Sequence, residues 1–271
     1  MNFKDGVIFG SLLACGIAFG SSAFACSTDG WNGGVVGLST TLTVNSPPVF
    51  PRYSEFCAMR VTGDGSVRDL SPDHERIRAR FYVFSSLTGS GDAVLFRAYG
   101  DESDGSPLFE IRQTNGNLVF DADGSGTGAG GADGSTPLPS GWVSIEFDWQ
   151  SGGTMGVWVN SDASVVATPP LEVTGASTGA VDSIRLGLVG GLAGFSGNAV
   201  FDAYEAHSTT PVGLLLVGDA NGNGTVNSTD VSAALIETEI GGNLAPGQPD
   251  CNSNGVVNST DVSCILILTE L

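Results

Sequence analysis

Residues 142–149 read W-V-S-I-E-F-D-W, and their alternation sets the character of the larger part of the chain. An extended strand places Val143, Ile145, Phe147 and Trp149 on one face and Ser144, Glu146 and Asp148 on the other. Segment 76–84, R-I-R-A-R-F-Y-V-F, repeats the pattern, with Ile77, Ala79, Phe81 and Val83 opposite Arg76, Arg78 and Arg80. Tyr82 and Phe84 then break it, which predicts cover on both faces there. Between 26 and 208, runs of Val, Ile, Phe, Trp and Thr recur between clusters of Gly, Asp, Ser and Pro, with almost no helical periodicity. Strands are expected over 36–44, 57–61, 76–84, 93–99, 107–113, 117–121, 142–149, 154–160, 164–167, 181–189 and 198–206. So many short strands in one domain suit two packed antiparallel sheets.

The C-terminal residues carry a different signal. D-A-N-G-N-G-T-V-N-S-T-D-V-S at 219–232 returns 31 positions later (250 minus 219) as D-C-N-S-N-G-V-V-N-S-T-D-V-S at 250–263. A period of that size marks duplicated supersecondary units. Each copy has the spacing of a calcium loop, with oxygen-bearing side chains at positions 1, 3, 5, 9 and 12. They are Asp219, Asn221, Asn223, Asn227 and Asp230 in the first loop, and Asp250, Asn252, Asn254, Asn258 and Asp261 in the second. The carbonyls of Thr225 and Val256 at position 7 complete each shell, and Gly224 and Gly255 make the sharp turn at position 6. Two Ca2+ ions are expected. A single such loop could equally be an Asn-Gly hairpin turn. Two in tandem, each followed by a helix, argue against that. The N-S-T triplets at Asn227 and Asn258 also read as glycosylation acceptors, but both asparagines already belong to the loops. Val231, Leu235 and Ile236, with Val262, Leu266 and Ile267, are expected to pack together once the loops are ordered.

A loop-then-helix duplication closed by Asp at position 12 resembles the type I dockerin family over residues 218–271. That resemblance implies two calcium ions, a cohesin-like protein module as partner, and attachment of polysaccharide-directed secreted proteins to a scaffold. The family's partner-contacting pair falls here on Ser228-Thr229 and Ser259-Thr260. Asn at positions 3 and 5 departs from the family's frequent Asp at 5 and leaves two carboxylates per loop, which predicts calcium binding toward the range of extracellular modules. The strand series, with W-V-S-I-E-F-D-W, G-V-W-V-N and V-F-D-A-Y-E-A, resembles the concanavalin A-like or laminin-G-like jelly rolls over roughly residues 30–208. Domains of that superfamily bind glycans, cut them, or support a neighbour.

The first residues look like a secretory signal. Lys4 precedes an apolar core from Val7 to Gly20, and Ala23-Phe24-Ala25 is a small-residue cleavage pattern, placing the cut near Ala25. L-L-A-C ending at Cys15 also reads as a lipid-anchor motif, with an unusually short apolar region before it. No later apolar run is long enough for a membrane span. The expected location is secreted, extracellular or cell-surface. Cleavage removes the only lysine, leaving 9 Arg against 28 Asp plus Glu (29 minus Asp5), a net charge of −19. Such a surface repels nucleic acid and anionic lipid. Four cysteines remain, and locality favours Cys251–Cys264 and Cys26–Cys57 disulfides. Cys251 and Cys264 replace Ala220 and Ala233 of the first repeat together, as a staple of the last helix would require.

Catalysis has one foothold. Glu146-Phe147-Asp148 puts two carboxylates on one sheet face, as in jelly-roll hydrolases of the laminarinase type, which carry a second Glu two or three residues on. Here those positions are Gln150 and Ser151, so the acid is missing, and cross-strand pairing with Arg76, Arg78 or Arg80 on a solvated face is the simpler reading. The Gly-rich connection 122–141 is a mobile or binding loop in which Asp121, Asp123 and Asp133 could hold a third calcium. His74 and His207 fit no triad or zinc spacing. The expected layout is a signal peptide (1–25), a jelly-roll β-sandwich (26–208), a linker (209–217) and a small α-helical duplicated calcium-loop module (218–271). The reading favours an exported non-catalytic protein with a glycan-binding sandwich, so polysaccharide is a partner alongside the cohesin-like module. A polysaccharide hydrolase or lyase carried on a dockerin, and a calcium-stabilised surface or matrix protein, are the alternatives.

Overall fold

The computed structural model describes residues 31–37, 42–45, 53, 58–70, 74–126, 133–240 and 245–270. The signal segment, Cys26 and Cys57 lie outside these residues, and so does the disulfide expected between those two cysteines. Two seven-stranded antiparallel sheets face each other. The first runs Val35–Gly37, Gly65–Asp69, Ser183–Gly190, Asp92–Tyr99, Pro107–Thr114, Asn117–Asp121 and Asp133–Pro137, in spatial order. The second runs Leu171–Thr174, Thr154–Val159, Trp142–Gln150, Arg76–Ser85, Ala199–His207, Ala58–Val61 and Leu42–Asn45. Late strands sit between early ones in both sheets, so the chain crosses repeatedly from sheet to sheet, as in a jelly-roll sandwich.

The alternation at 142–149 and 76–84 points inward as expected. Val143, Ile145, Phe147 and Trp149 join Ile77, Ala79, Phe81 and Val83 in one core with Phe96, Phe109, Ile111 and Phe120 of the first sheet. Phe147 meets Phe96 edge-on at 5.0 Å, and Trp149 stacks on Phe109 at 5.1 Å, with its indole N–H donated to the Ala122 carbonyl. Each large side chain buried there contributes roughly 1.5–3 kcal/mol over its exposed state.

Three expectations about strands are corrected. Segment 36–44 is not one strand: Val35–Gly37 belongs to the first sheet and Leu42–Asn45 to the second. Residues 164–167 turn, because the Asp162 carbonyl accepts the N–H groups of Val165 and Val166 while its carboxylate accepts that of Ser164. The strand begins instead at Leu171. Part of the Gly-rich connection, Asp133–Pro137, pairs with Asn117–Asp121 as an edge strand.

The C-terminal region contains two helices, α1 (Ser228–Ile240) and α2 (Ser259–Thr269). Cys251 and Cys264 are disulfide-bonded, with Cα atoms 6.0 Å apart. The module's core is small: Ala220, Ala234, Ala245, Cys251 and Ile265, with Val217, Val226, Val231 and Val262 at its edge. Leu235, Ile236, Leu266 and Ile267, expected to pack together, are exposed instead, as are Ile240 and Leu268. Helical phase explains this. Asp230 and Asp261 must point into their loops, so the inward stripes continue through Ala234 and Ile265, and the next residues fall on the far side. Among the described residues no helix is long and apolar enough to cross a membrane.

Segment 212–215, between the sandwich and the module, is not a loose tether. It crosses the outer face of the second sheet, where Leu214 and Leu215 pack against Tyr53, Tyr82, Trp142 and Val200. This supplies the second cover that Tyr82 and Phe84 predict.

Candidate functional site

The two loops match in every hydrogen bond from the loop backbone to their aspartate carboxylates. In the first, the Asp219 carboxylate accepts N–H groups from Asn223 and Gly224, and Asp230 accepts those of Asn221 and Asn227. In the second, Asp250 accepts from Asn254 and Gly255, and Asp261 from Asn252 and Asn258. Asn258 also caps α2 in a capping box with Asp261. All four aspartates are buried. Burial pushes the Asp250 carboxyl up to about 6; N–H donation from Gly255 and Asn254 pulls it down, and the nearby Asp261 raises it.

Among the described residues no three His, Cys, Asp or Glu come together, so each loop offers two carboxylates and otherwise amide and main-chain oxygens. That is a hard-oxygen donor set of the kind calcium takes. Asp219, Asn221, Asn223, Thr225, Asn227 and Asp230 would hold one ion, and Asp250, Asn252, Asn254, Val256, Asn258 and Asp261 the other. A bound ion would supply the positive charge that each buried carboxylate pair otherwise lacks.

Ser228, Thr229, Ser259 and Thr260 are exposed at the helix starts. The threonine hydroxyls are nevertheless engaged with the loops. Thr229 Oγ1 donates to Asn227 and accepts from Asn221, and Thr260 Oγ1 repeats this with Asn258 and Asn252. The serines and the threonine methyls are the parts open to a partner.

The module sits on the sheet through its second loop. The Trp142 main-chain N–H donates to the Ser253 carbonyl at 3.0 Å. Ser253 has a left-handed backbone, φ 57°, where the first loop has Gly222 at 71°. Opposite it lies Gly141, φ 81°, where a Cβ would stand 2.4 Å from that carbonyl oxygen.

On the same outer face, Arg76 and Arg78 meet Glu146 and Asp148, as pairing predicts, while Arg80 pairs with Glu205; over Glu146 the face is not solvated. Glu146 is 1% exposed and accepts N–H groups from Val212 and Gly213 at 3.0 and 2.8 Å, besides Arg78 Nε at 2.7 Å. Arg80 donates to the Gly213 carbonyl, and Leu215 N–H to the Tyr82 hydroxyl. Glu146 is sealed under the connecting segment, and Asp148 is held by Arg76 and Arg78. Glu146 is thus shut away from solvent, while Asp148, held by both arginines, still borders the open part of the face.

Beyond Glu146 the face opens into a cleft of about 230 Å³. Its floor includes Arg76, Arg78, Asp148 and Thr154, with Gln150 and Glu172 at the rim and Ala167 and Pro169 forming a wall. Thr154 and Glu172 were not singled out in the sequence, and Gln150 enters there only as a position lacking an acid. Cross-strand register is the pattern that reveals Glu172, since Arg78, Asp148, Gly156 and Glu172 fall in one row across four strands, and it sets Gln150 beside Arg76. The acidic stretch considered for a third calcium already holds a cation: Arg112 lies 3.2 Å from both Asp121 and Asp133.

No family model matches the chain, and no curated protein does. Among solved structures the chain is similar to "Cellulose induced protein, Cip1", at 14% identity and a TM-score of 0.44, over 68% of this chain and 90% of that one. It is also similar to the binding domain of Botulinum Neurotoxin DC in complex with SialylT, at 13% identity and 0.44, over 68% of this chain and 45% of that one. The serotype G binding domain of the same toxin group gives 7% identity and 0.42, over 69% and 44%. The chain thus spans less than half the length of the toxin structures it matches.

Proposed function

We propose that this chain is an exported, non-catalytic protein whose jelly-roll sandwich binds a glycan and whose C-terminal module docks, in its calcium-loaded form, onto a cohesin-like partner. The observation that carries the docking half is the pair of loops with equivalent carboxylate-to-backbone bonds, each leading into a helix with exposed apolar residues. Leu235, Ile236 and Ile240 on α1, and Leu266, Ile267 and Leu268 on α2, remain uncovered while the module's own core is closed beneath them. Exposed apolar groups on an otherwise acidic chain favour a protein partner. Ser228, Thr229, Ser259 and Thr260 at the start of the same helices contribute its polar rim.

The sealing of Glu146 supports the non-catalytic half. The seat of the second loop on Gly141 and Trp142 favours a second reading, in which the module is a rigid cap on its own sandwich. The two differ in what the helix faces do, since those faces lie outside that seat.

The test mixes the full chain with a panel of cohesin modules by size-exclusion chromatography, with calcium and with chelator. A calcium-dependent complex is expected, lost in the Leu235→Asp, Leu266→Asp double variant. Failure to bind any cohesin module would overturn the docking half and leave the cap.

A further inference from the structure

We propose that the cleft over the Arg76–Ser85, Trp142–Gln150 and Thr154–Val159 strands is the glycan site, and that it takes a short, neutral, hydroxyl-rich saccharide segment. The assignment rests on the glycan-binding reading above and adds to it the place and the class of sugar. Arg76, Arg78 and Asp148 lie on the floor, Glu146 is buried against Arg78, and the four charges neutralise one another. Arg76 clasps Asp148 through Nε and Nη2 at 2.8 and 2.6 Å. Arg78 Nε reaches Glu146 at 2.7 Å, and its Nη1 lies 3.4 Å from Asp148. Arginines held this way have no full positive charge to offer a uronate or sulfate. The exposed rim residue Glu172 tips the cleft toward negative, on a chain of net charge −19. An acidic sugar would meet repulsion on approach.

What the cleft does offer is hydrogen-bonding capacity of both kinds. Gln150 donates and accepts, Thr154 does the same through its hydroxyl, and Glu172 accepts. Arg76 keeps Nη1 outside its pair with Asp148. Mixed donors and acceptors on a neutral, preorganised floor suit vicinal hydroxyls.

The aromatic contribution is indirect. Trp158 carries the Arg78 guanidinium on its ring at 4.6 Å and donates its indole N–H to the Val166 carbonyl at 2.7 Å. It is 2% exposed, so it holds Arg78 in place rather than serving as a stacking platform for sugar. At about 230 Å³ the cleft is below the roughly 300–1,000 Å³ of drug-sized sites. Toward Glu146 the face is closed by the connecting segment at Val212 and Gly213. One or two sugar rings fit, not a long run of polysaccharide.

The test titrates the full calcium-treated chain, by ligand-observed NMR, with neutral tetrasaccharides built of glucose, xylose, mannose or galactose and with an oligogalacturonide. Two variants accompany it: Gln150→Ala with Glu172→Ala, which removes rim hydrogen bonds, and Ala167→Trp, which fills the cleft from its exposed wall. At least one neutral sugar should bind and the oligogalacturonide should not. Both variants should weaken that binding about tenfold or more, the size expected for two lost hydrogen bonds, while melting as the parent does. Glycan binding unchanged in both variants overturns this assignment and leaves the glycan-binding reading standing elsewhere on the molecule. Preference for the acidic sugar, lost in the variants, overturns the neutral class. No binding to any sugar overturns both the assignment and the reading beneath it.

Discussion

Glu146 shows most clearly how a single side chain is fixed by chain far from it in sequence. Its carboxylate has three donors, one from Arg78 and two from the backbone of Val212 and Gly213. Removing one partner of a buried ion pair leaves the other charge unpaired, at a cost of about 3–5 kcal/mol. Glu146→Ala should therefore lower unfolding stability by roughly that amount in a urea titration, and a loss under about 1 kcal/mol would mean the face is open to water. Part of this was readable beforehand. The alternation of 142–149 and 76–84 places carboxylates beside arginines, and the structure pairs them. Their burial was not readable, because the residues that cover them lie more than sixty positions away and carry no periodic signal.

Elements were legible where apolar and polar side chains alternate along the chain. Val143–Trp149 satisfies that condition. Gly65–Asp69 has one apolar side chain, Val67, and Asp133–Pro137 has none except its proline, so neither announces itself as a strand. Val165 and Val166 mislead in the other direction, since Asp162 binds the local backbone into a turn.

In the module, the repeat exposes its own logic: Cys251 and Cys264 stand where Ala220 and Ala233 stand in the first copy. Restoring alanine at both positions should keep the fold and weaken the second loop and α2. The expected loss is about 2–3 kcal/mol for so short a closed loop, read as faster amide exchange in α2 than in α1. Equal exchange in the two helices, unchanged from the parent, would assign the disulfide no stabilising role.

Taken whole, the molecule is a sandwich with its C-terminal module seated on one face. Gly141 is the tightest point of that seat, since any Cβ there would overlap the Ser253 carbonyl. Gly141→Val should lift the second loop, expose 209–217 to protease, and leave the sandwich folded. Protection of that segment at the parent's level would show that the contact at Ser253 does not hold the module down.

Whether the duplicated loops are calcium sites is decided by isothermal titration of the chelator-stripped full chain with calcium. The account predicts two ions per chain, bound weakly for a calcium loop because each site has only two carboxylates, and no uptake at the loops in the Asp230→Ala, Asp261→Ala double variant. No binding in the parent, or the same two ions in the double variant, would contradict it.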